Sequence, residues 1–122
     1  MDISVSVKHC QGSTLDDRIE DRFPHIFNNK TETVQVVTLS DFMTEQNISN
    51  ISLLKIDVEG LEPQVIKGAG ELLSNIDNII FESYFRKDID EIKDHVAQYG
   101  FKIGGKIRRC MFYLYAGRNY LD

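Results

Sequence analysis

The run Leu53-Leu54-Lys55-Ile56-Asp57-Val58-Glu59-Gly60-Leu61-Glu62 constrains this chain more than any other stretch. Its apolar, β-branched opening is that of a strand buried in a sheet, and it turns acidic before stopping at a glycine. Side chains alternate across a strand, so Lys55, Asp57 and Glu59 are expected on one face and Leu54, Ile56 and Val58 on the other. A buried strand gains nothing from charges, and an unpaired one is costly to desolvate. Three ionisable groups massed at one strand end therefore call for a reason beyond stability. In an open α/β sheet, the carboxyl end of the strands is where ligands bind.

The segments that follow carry the matching elements. Gly60 makes a tight turn, and Pro63 suits the first turn of a helix. Val65, Ile66, Ala69, Leu72 and Leu73 recur at helical spacing, with Gly68 and Gly70 expected to permit close packing on the sheet. Asn78 to Glu82 is the next buried strand, and it too ends in a carboxylate. Asp88 and Glu91 have the spacing of a capping box. Ile89, Ile92, Val96 and Tyr99 give that helix its buried face, and Gly100 is its C-cap. Phe101 to Ile107 and Cys110 to Ala116 are two strands joined by Arg108-Arg109, with Gly104-Gly105 as a bulge. So short a connection forces them to pair antiparallel. From Leu53 onward the order is strand, helix, strand, helix, strand, strand, which predicts an α/β fold with a mostly parallel sheet and a closing antiparallel hairpin.

Upstream, Ile3, Val5 and Val7 alternate with polar residues as in a half-buried strand. Gln11-Gly12-Ser13-Thr14 reads as a turn, with Ser13 or Thr14 capping a short helix through Asp16–Ile19. Between Phe23 and Thr33 the pattern is lost and a loop is expected. Val34 to Leu39 is a second strand candidate, and Thr38 or Ser40 starts a helix carrying Phe42 and Met43 inward.

The 122 residues, 42% of them hydrophobic, suffice for one domain with one core. A net charge of −5 argues against a nucleic-acid binder, and the Lys106, Arg108 and Arg109 group is too small to reverse that. Cys10 and Cys110 have no Cys or His beside them at zinc spacing, so two thiols in a reducing cytoplasm are expected. No signal peptide opens the sequence, and no apolar run approaches the roughly 20 residues that span a bilayer. A soluble cytoplasmic protein with no membrane contact is the expectation.

Val36 to Phe42, Leu54 to Glu62, Val65-Ile66-Lys67-Gly68-Ala69 and Ile80-Phe81-Glu82 together resemble the FkbM family of methyltransferases. The Lys-Ile-Asp-Val-Glu-Gly segment followed by Lys-Gly-Ala is the specific part of the signature. Gln11 to Leu15 is similar to a looser segment that precedes the threonine-leucine strand in the family. The terminal hairpin also fits the Rossmann-like sheet of class I methyltransferases, whose last strand runs antiparallel. The resemblance implies methyl transfer from S-adenosylmethionine to a hydroxyl of a sugar, lipid or polyketide-like acceptor. In the family the cofactor is held mainly by a first strand, its glycine-rich turn, and an acid ending the second strand. None of these is found here. Residues 1–122 therefore look like the C-terminal part of the domain without its cofactor-binding half.

Asp57 is the leading catalytic candidate and the one expected cofactor contact; it can orient an acceptor, help remove its proton, or lie near the sulfonium. The alternative is a cap for the following helix, with Lys55 as counter-ion. Glu59 has the same two readings. Glu82, on the neighbouring parallel strand, should reach the same edge, where coupled carboxylates can act as a base. Such carboxylates make only a weak argument for a metal, and none is assigned. His9 lies near enough to the Gln11 turn to reach the site, His25 is isolated, and His95 reads as surface. Tyr84 and Phe85 line an acceptor pocket or pack locally, and Tyr113 and Tyr115 belong to core or rim. The rival to an enzyme is a non-catalytic module. It would pair through the exposed flank of its central strand with a second copy or with a complementing chain.

Overall fold

Strand formation here follows the availability of a partner as much as side-chain type. The computed structural model describes residues 2–6, 18, 27–108 and 110–116. They fall into two compact units, one comprising Met1–Val37 with Val58–Leu61, the other Thr38–Asp57 with Glu62–Asp122.

In the first unit, β1 (Asp2–Ser6) pairs antiparallel with β2 (Phe27–Thr33), from Asp2 opposite Thr33 to Ser6 opposite Phe27. The expected loop before Val34 is thus largely a strand, and the expected strand from Val34 to Leu39 is not one. Residues 34–38 have no regular structure, and Val36 and Val37 are about half exposed, at 52% and 55%. The polar β2 sequence has a ladder partner in β1, whereas the β-branched run joins no strand among the described residues, and pairing outweighs intrinsic preference. The readings at His9, Cys10, residues 11–15 and His25 lie outside the described residues; of the helix expected through Asp16–Ile19, only Arg18 is described, and it is helical.

The second unit holds the sheet. Helix α1 (Leu39–Glu45) is capped by Thr38, whose Oγ1 accepts from the Asp41 N–H at 3.0 Å. Met43 is buried as expected, but Phe42 is 46% exposed. Strand β3 (Leu54–Ile56) is followed by α2 (Glu62–Lys67), a 3-10 helix (Gly70–Asn75), β4 (Asn78–Glu82), α3 (Arg86–Ala97), β5 (Phe101–Arg108) and β6 (Met111–Ala116). The single long helix implied by Val65 to Leu73 is therefore two short pieces, broken where Gly70 adopts φ +53°. Gly68 serves close packing, though against α1 rather than the sheet. A Cβ there would meet the Gln64 carbonyl at 3.2 Å and Leu39 N at 3.5 Å, and the Gly68 carbonyl accepts from Ser40 N–H at 2.9 Å.

The strand order is β3-β4-β6-β5, with β3 and β4 parallel and β6 antiparallel to both its neighbours. Three strands point the same way, yet only one adjacent pair is parallel, because β6 is inserted between β4 and β5 rather than added at the edge. This corrects the expected mostly parallel sheet to a mixed one. The bulge falls at Gly104, where the register shifts between Ile103 and Gly105.

Core and open face follow the alternation along β4, where Ile79 and Phe81 are fully buried and Asn78, Ile80 and Glu82 are half-buried. Ile79 and Phe81 pack with Ile56, Ile66, Leu73, Ile89, Ile92, Val96 and Leu114 in one cluster. At roughly 1.5–3 kcal/mol for each fully buried large aliphatic or aromatic side chain, this cluster is the main source of stability in the unit. The expected capping box is absent. Helix α3 starts from Phe85, in extended conformation, so Asp88 is in the first turn and buried, and Glu91 pairs with Lys67 of α2. Gly100 has the expected left-handed conformation, φ +80°.

Candidate functional site

Parallel pairing of β3 and β4 brings two carboxylates to the same end of the sheet. The register runs Leu54–Ile79, Lys55–Ile80 and Ile56–Phe81, so Asp57 and Glu82 stand one step further on. Ile56 and Phe81 face the helices and are buried. By alternation, Lys55 and Glu82 take the other face, which the core does not occupy.

Asp57 is exposed as a residue, but its carboxyl is held above the ordinary carboxylate value. The first cause is loss of hydration at the strand end, which disfavours the anion. The second is the negative charge of Glu82, and the Lys55 ammonium opposes both. The two acids therefore interact electrostatically, which is the condition for one of them to hold a proton closer to neutral pH. The contribution of Lys55 as a partial counter-ion agrees with its expected supporting part.

Glu82 has a further neighbour that the sequence did not signal. The Cys110 Sγ donates to Glu82 Oε1 at 3.1 Å, and the Ser83 N–H donates to the Cys110 carbonyl at 2.8 Å. Cys110 lies in the turn between β5 and β6, and Met111 pairs with Glu82 across the sheet. Only the insertion of β6 beside β4 creates this contact, and no local pattern encodes a contact across 28 positions.

Glu59 departs from its expected placement. Strand β3 ends at Ile56, so the two-residue alternation that joined Glu59 to Asp57 does not extend to it. Glu59 instead adopts φ +51° next to Gly60 at φ +111°, and its segment, residues 58–61, groups with the first unit. A left-handed non-glycine residue is uncommon and carries strain on the order of 1 kcal/mol. Within that unit, the Arg18 Nη2 donates to the Gly60 carbonyl at 3.1 Å. The strand alternation that was to align Glu59 with Asp57 therefore does not apply to it, while Asp57 and Glu82 stand at the ends of β3 and β4.

The other candidates are dispersed. His95 is half-buried rather than surface, with its ring centroid 5.7 Å from that of Tyr99. Tyr84 and Phe85 are half-buried in the link from β4 to α3. Tyr113 and Tyr115 stack at 5.8 Å, and the Tyr113 hydroxyl donates to Asn78 Oδ1 at 2.6 Å. Among the described residues no group of three or more His, Cys, Asp or Glu is arranged to hold a metal, and no helix is long and apolar enough to cross a membrane.

Comparison with curated proteins and with solved structures gave no match. Over residues 4–103 the sequence does match the family model described as the methyltransferase FkbM domain. Because that match spans most of its length, this chain belongs to the FkbM family of methyltransferases.

Proposed function

We propose that this chain takes part in S-adenosylmethionine-dependent O-methylation of a hydroxyl-bearing acceptor, a sugar, lipid or polyketide-like molecule, with Asp57 and Glu82 as the working carboxylates on a Rossmann-like sheet. The observation that carries this reading is the electrostatic coupling of Asp57 to Glu82 at the ends of adjacent parallel strands. The pair fits the cofactor in chemical kind. Two carboxylates at one rim, one of them disfavoured as an anion, suit a ligand that presents a positive sulfonium and hydroxyl donors. When bound, S-adenosylmethionine supplies an electrophilic methyl group.

The chain's own part is to position the acceptor and to manage its proton. A carboxylate with a raised proton affinity is a better base than an ordinary surface acid. Asp57 Oδ accepts the hydrogen bond of the acceptor hydroxyl and takes its proton as the oxygen becomes nucleophilic. Glu82 raises the proton affinity of Asp57 and offers a second acceptor for a neighbouring hydroxyl. Holding the acceptor oxygen in line contributes most of the rate, as is general for reactions limited by orientation.

Two measurements test the reading. Calorimetric titration of the 122-residue chain with S-adenosylmethionine should show binding. In a methylation assay, Asp57→Asn should lower turnover by about 100-fold or more, the usual range for losing a general base, with the circular dichroism spectrum intact. Unchanged methylation would remove Asp57 from the chemistry. A second reading, pairing with another copy or a complementing chain, rests on β3, whose outer side carries no strand among the described residues. Absence of cofactor binding together with a dimeric mass by sedimentation would favour it.

A further inference from the structure

We propose that Cys110 is a positioning residue for the carboxylate pair: its thiol, donating to Glu82 Oε1 at 3.1 Å, holds the Glu82 carboxylate in place beside Asp57. The inference deepens the proposed function and rests on Asp57 and Glu82 being the working pair. A glutamate at a half-exposed strand end has three side-chain torsions and no reason to keep one orientation. Here the orientation is fixed from the side away from Asp57. The backbone of Cys110 is tied to the residue after Glu82 by the Ser83 N–H to Cys110 carbonyl bond at 2.8 Å, and Met111 is paired with Glu82 itself. The Cys110 backbone therefore cannot drift from Glu82 without breaking the β4–β6 ladder, and the thiol stays within reach of the carboxylate. An S–H is a weak donor, but a charged acceptor strengthens the bond.

The contact acts on Asp57 through charge. The ionisable groups tied to this pair are Lys55 in β3, which acts on Asp57 just beyond that strand, and Cys110 in the turn, which meets Glu82; Arg86, Lys87 and Asp88 open α3, four to six positions after Glu82 in sequence. Of these, Lys55 opposes the effect of Glu82 on Asp57. A Glu82 released from the thiol can swing toward solvent or toward a cation, and its charge then bears less on Asp57. The proton affinity of Asp57 falls, and the acidic limb of the pH–activity profile moves to lower pH.

The test is a carbon-13 NMR titration of the Asp57 carboxyl in the wild-type chain and in Glu82→Gln, Cys110→Ala and Cys110→Ser, each checked for folding by its amide spectrum. Glu82→Gln should lower the Asp57 midpoint, because it removes one like charge beside a partly solvated carboxyl. Cys110→Ala should lower it in the same direction by a measurable fraction of that, and Cys110→Ser, which keeps a donor, should restore it. If Glu82→Gln leaves the midpoint unmoved, the coupled pair fails, and with it the proposed function. If Glu82→Gln moves it but Cys110→Ala does not, or Cys110→Ser behaves like alanine, the positioning role is overturned while the pair stands. Should the alanine variant not fold, Cys110→Val fills the same space without a donor and is read in the same way.

Discussion

Gly104→Ala puts the packing of the sheet's open face to a quantitative test. A Cβ at this position would lie 2.2 Å from Tyr113 Cδ1, 2.7 Å from Cε1 and 3.1 Å from Cγ. These distances leave no room, so the tyrosine ring must move. Its far end is held by the hydroxyl bond to Asn78 Oδ1 at 2.6 Å, and its face stacks on Tyr115 with an interplanar angle of 28°. Displacing the ring forfeits a hydrogen bond of about 1 kcal/mol. It also loses an aromatic pair of about 0.5–1 kcal/mol and forces an off-rotamer side chain at about 1 kcal/mol. The lower chain entropy of alanine in the unfolded state returns about 0.5 kcal/mol. The net expectation is a loss of about 2 kcal/mol, read in urea denaturation as a midpoint lower by about 1 M with an unchanged slope. The same substitution in a Tyr113→Ala background should cost less than about 0.5 kcal/mol, because the clashing partner is gone. A single mutant within about 0.5 kcal/mol of wild type, or an equal cost in both backgrounds, would refute the account.

Three further outcomes follow from the same structure. Phe81→Ala should destabilise the second unit by about 3–5 kcal/mol, since the ring is fully buried and stacks on Phe112 at 5.3 Å; a loss under about 1 kcal/mol in urea denaturation would contradict this. Thr38→Ala should cost about 1 kcal/mol by removing the acceptor for Asp41 N–H, with Thr38→Ser near wild type in the same assay. For Asp57→Asn the sign follows from a raised carboxyl: the folded state holds the proton more tightly than the unfolded one, so wild-type stability falls as pH rises from the ordinary value of 3.8 through the folded value. The melting temperature of the asparagine variant, relative to wild type, should therefore rise as the pH climbs from 3.8 through the folded value and level off above it, and a constant difference would show that burial and Glu82 do not act on Asp57.

The acidic tips were legible because their cause is local. Asp57 and Glu82 sit at the ends of apolar runs, and the helical stripe of Ile89, Ile92 and Val96 fixes where α3 turns its buried face. Gly100 was legible for the same reason, since one residue after a helix either accepts a left-handed conformation or does not. What stayed hidden depends on partners distant in sequence. Strand β2 exists through β1, and nothing in Phe27–Thr33 announces it. The place of β6 in the sheet decides that Cys110 meets Glu82, and hairpin pairing alone does not fix that order. Glu59 was misplaced by extending a strand period beyond the last paired residue, where a turn with two left-handed residues takes over.

The position of β6 also has a consequence for how the protein is made. Asn78 pairs with Tyr115 and Phe101 with Ala116, so residues 111–116 supply the hydrogen bonds that join β5 to the rest of the sheet. As the polypeptide leaves the ribosome, β5 emerges without its strand neighbour and remains so until the six residues of β6 are clear of the exit tunnel. Deleting β6 would therefore not trim a border; it would leave β5 stranded and strip one side of β4. Nascent chains stalled before this segment should bind holdase chaperones, and those stalled well after it should not.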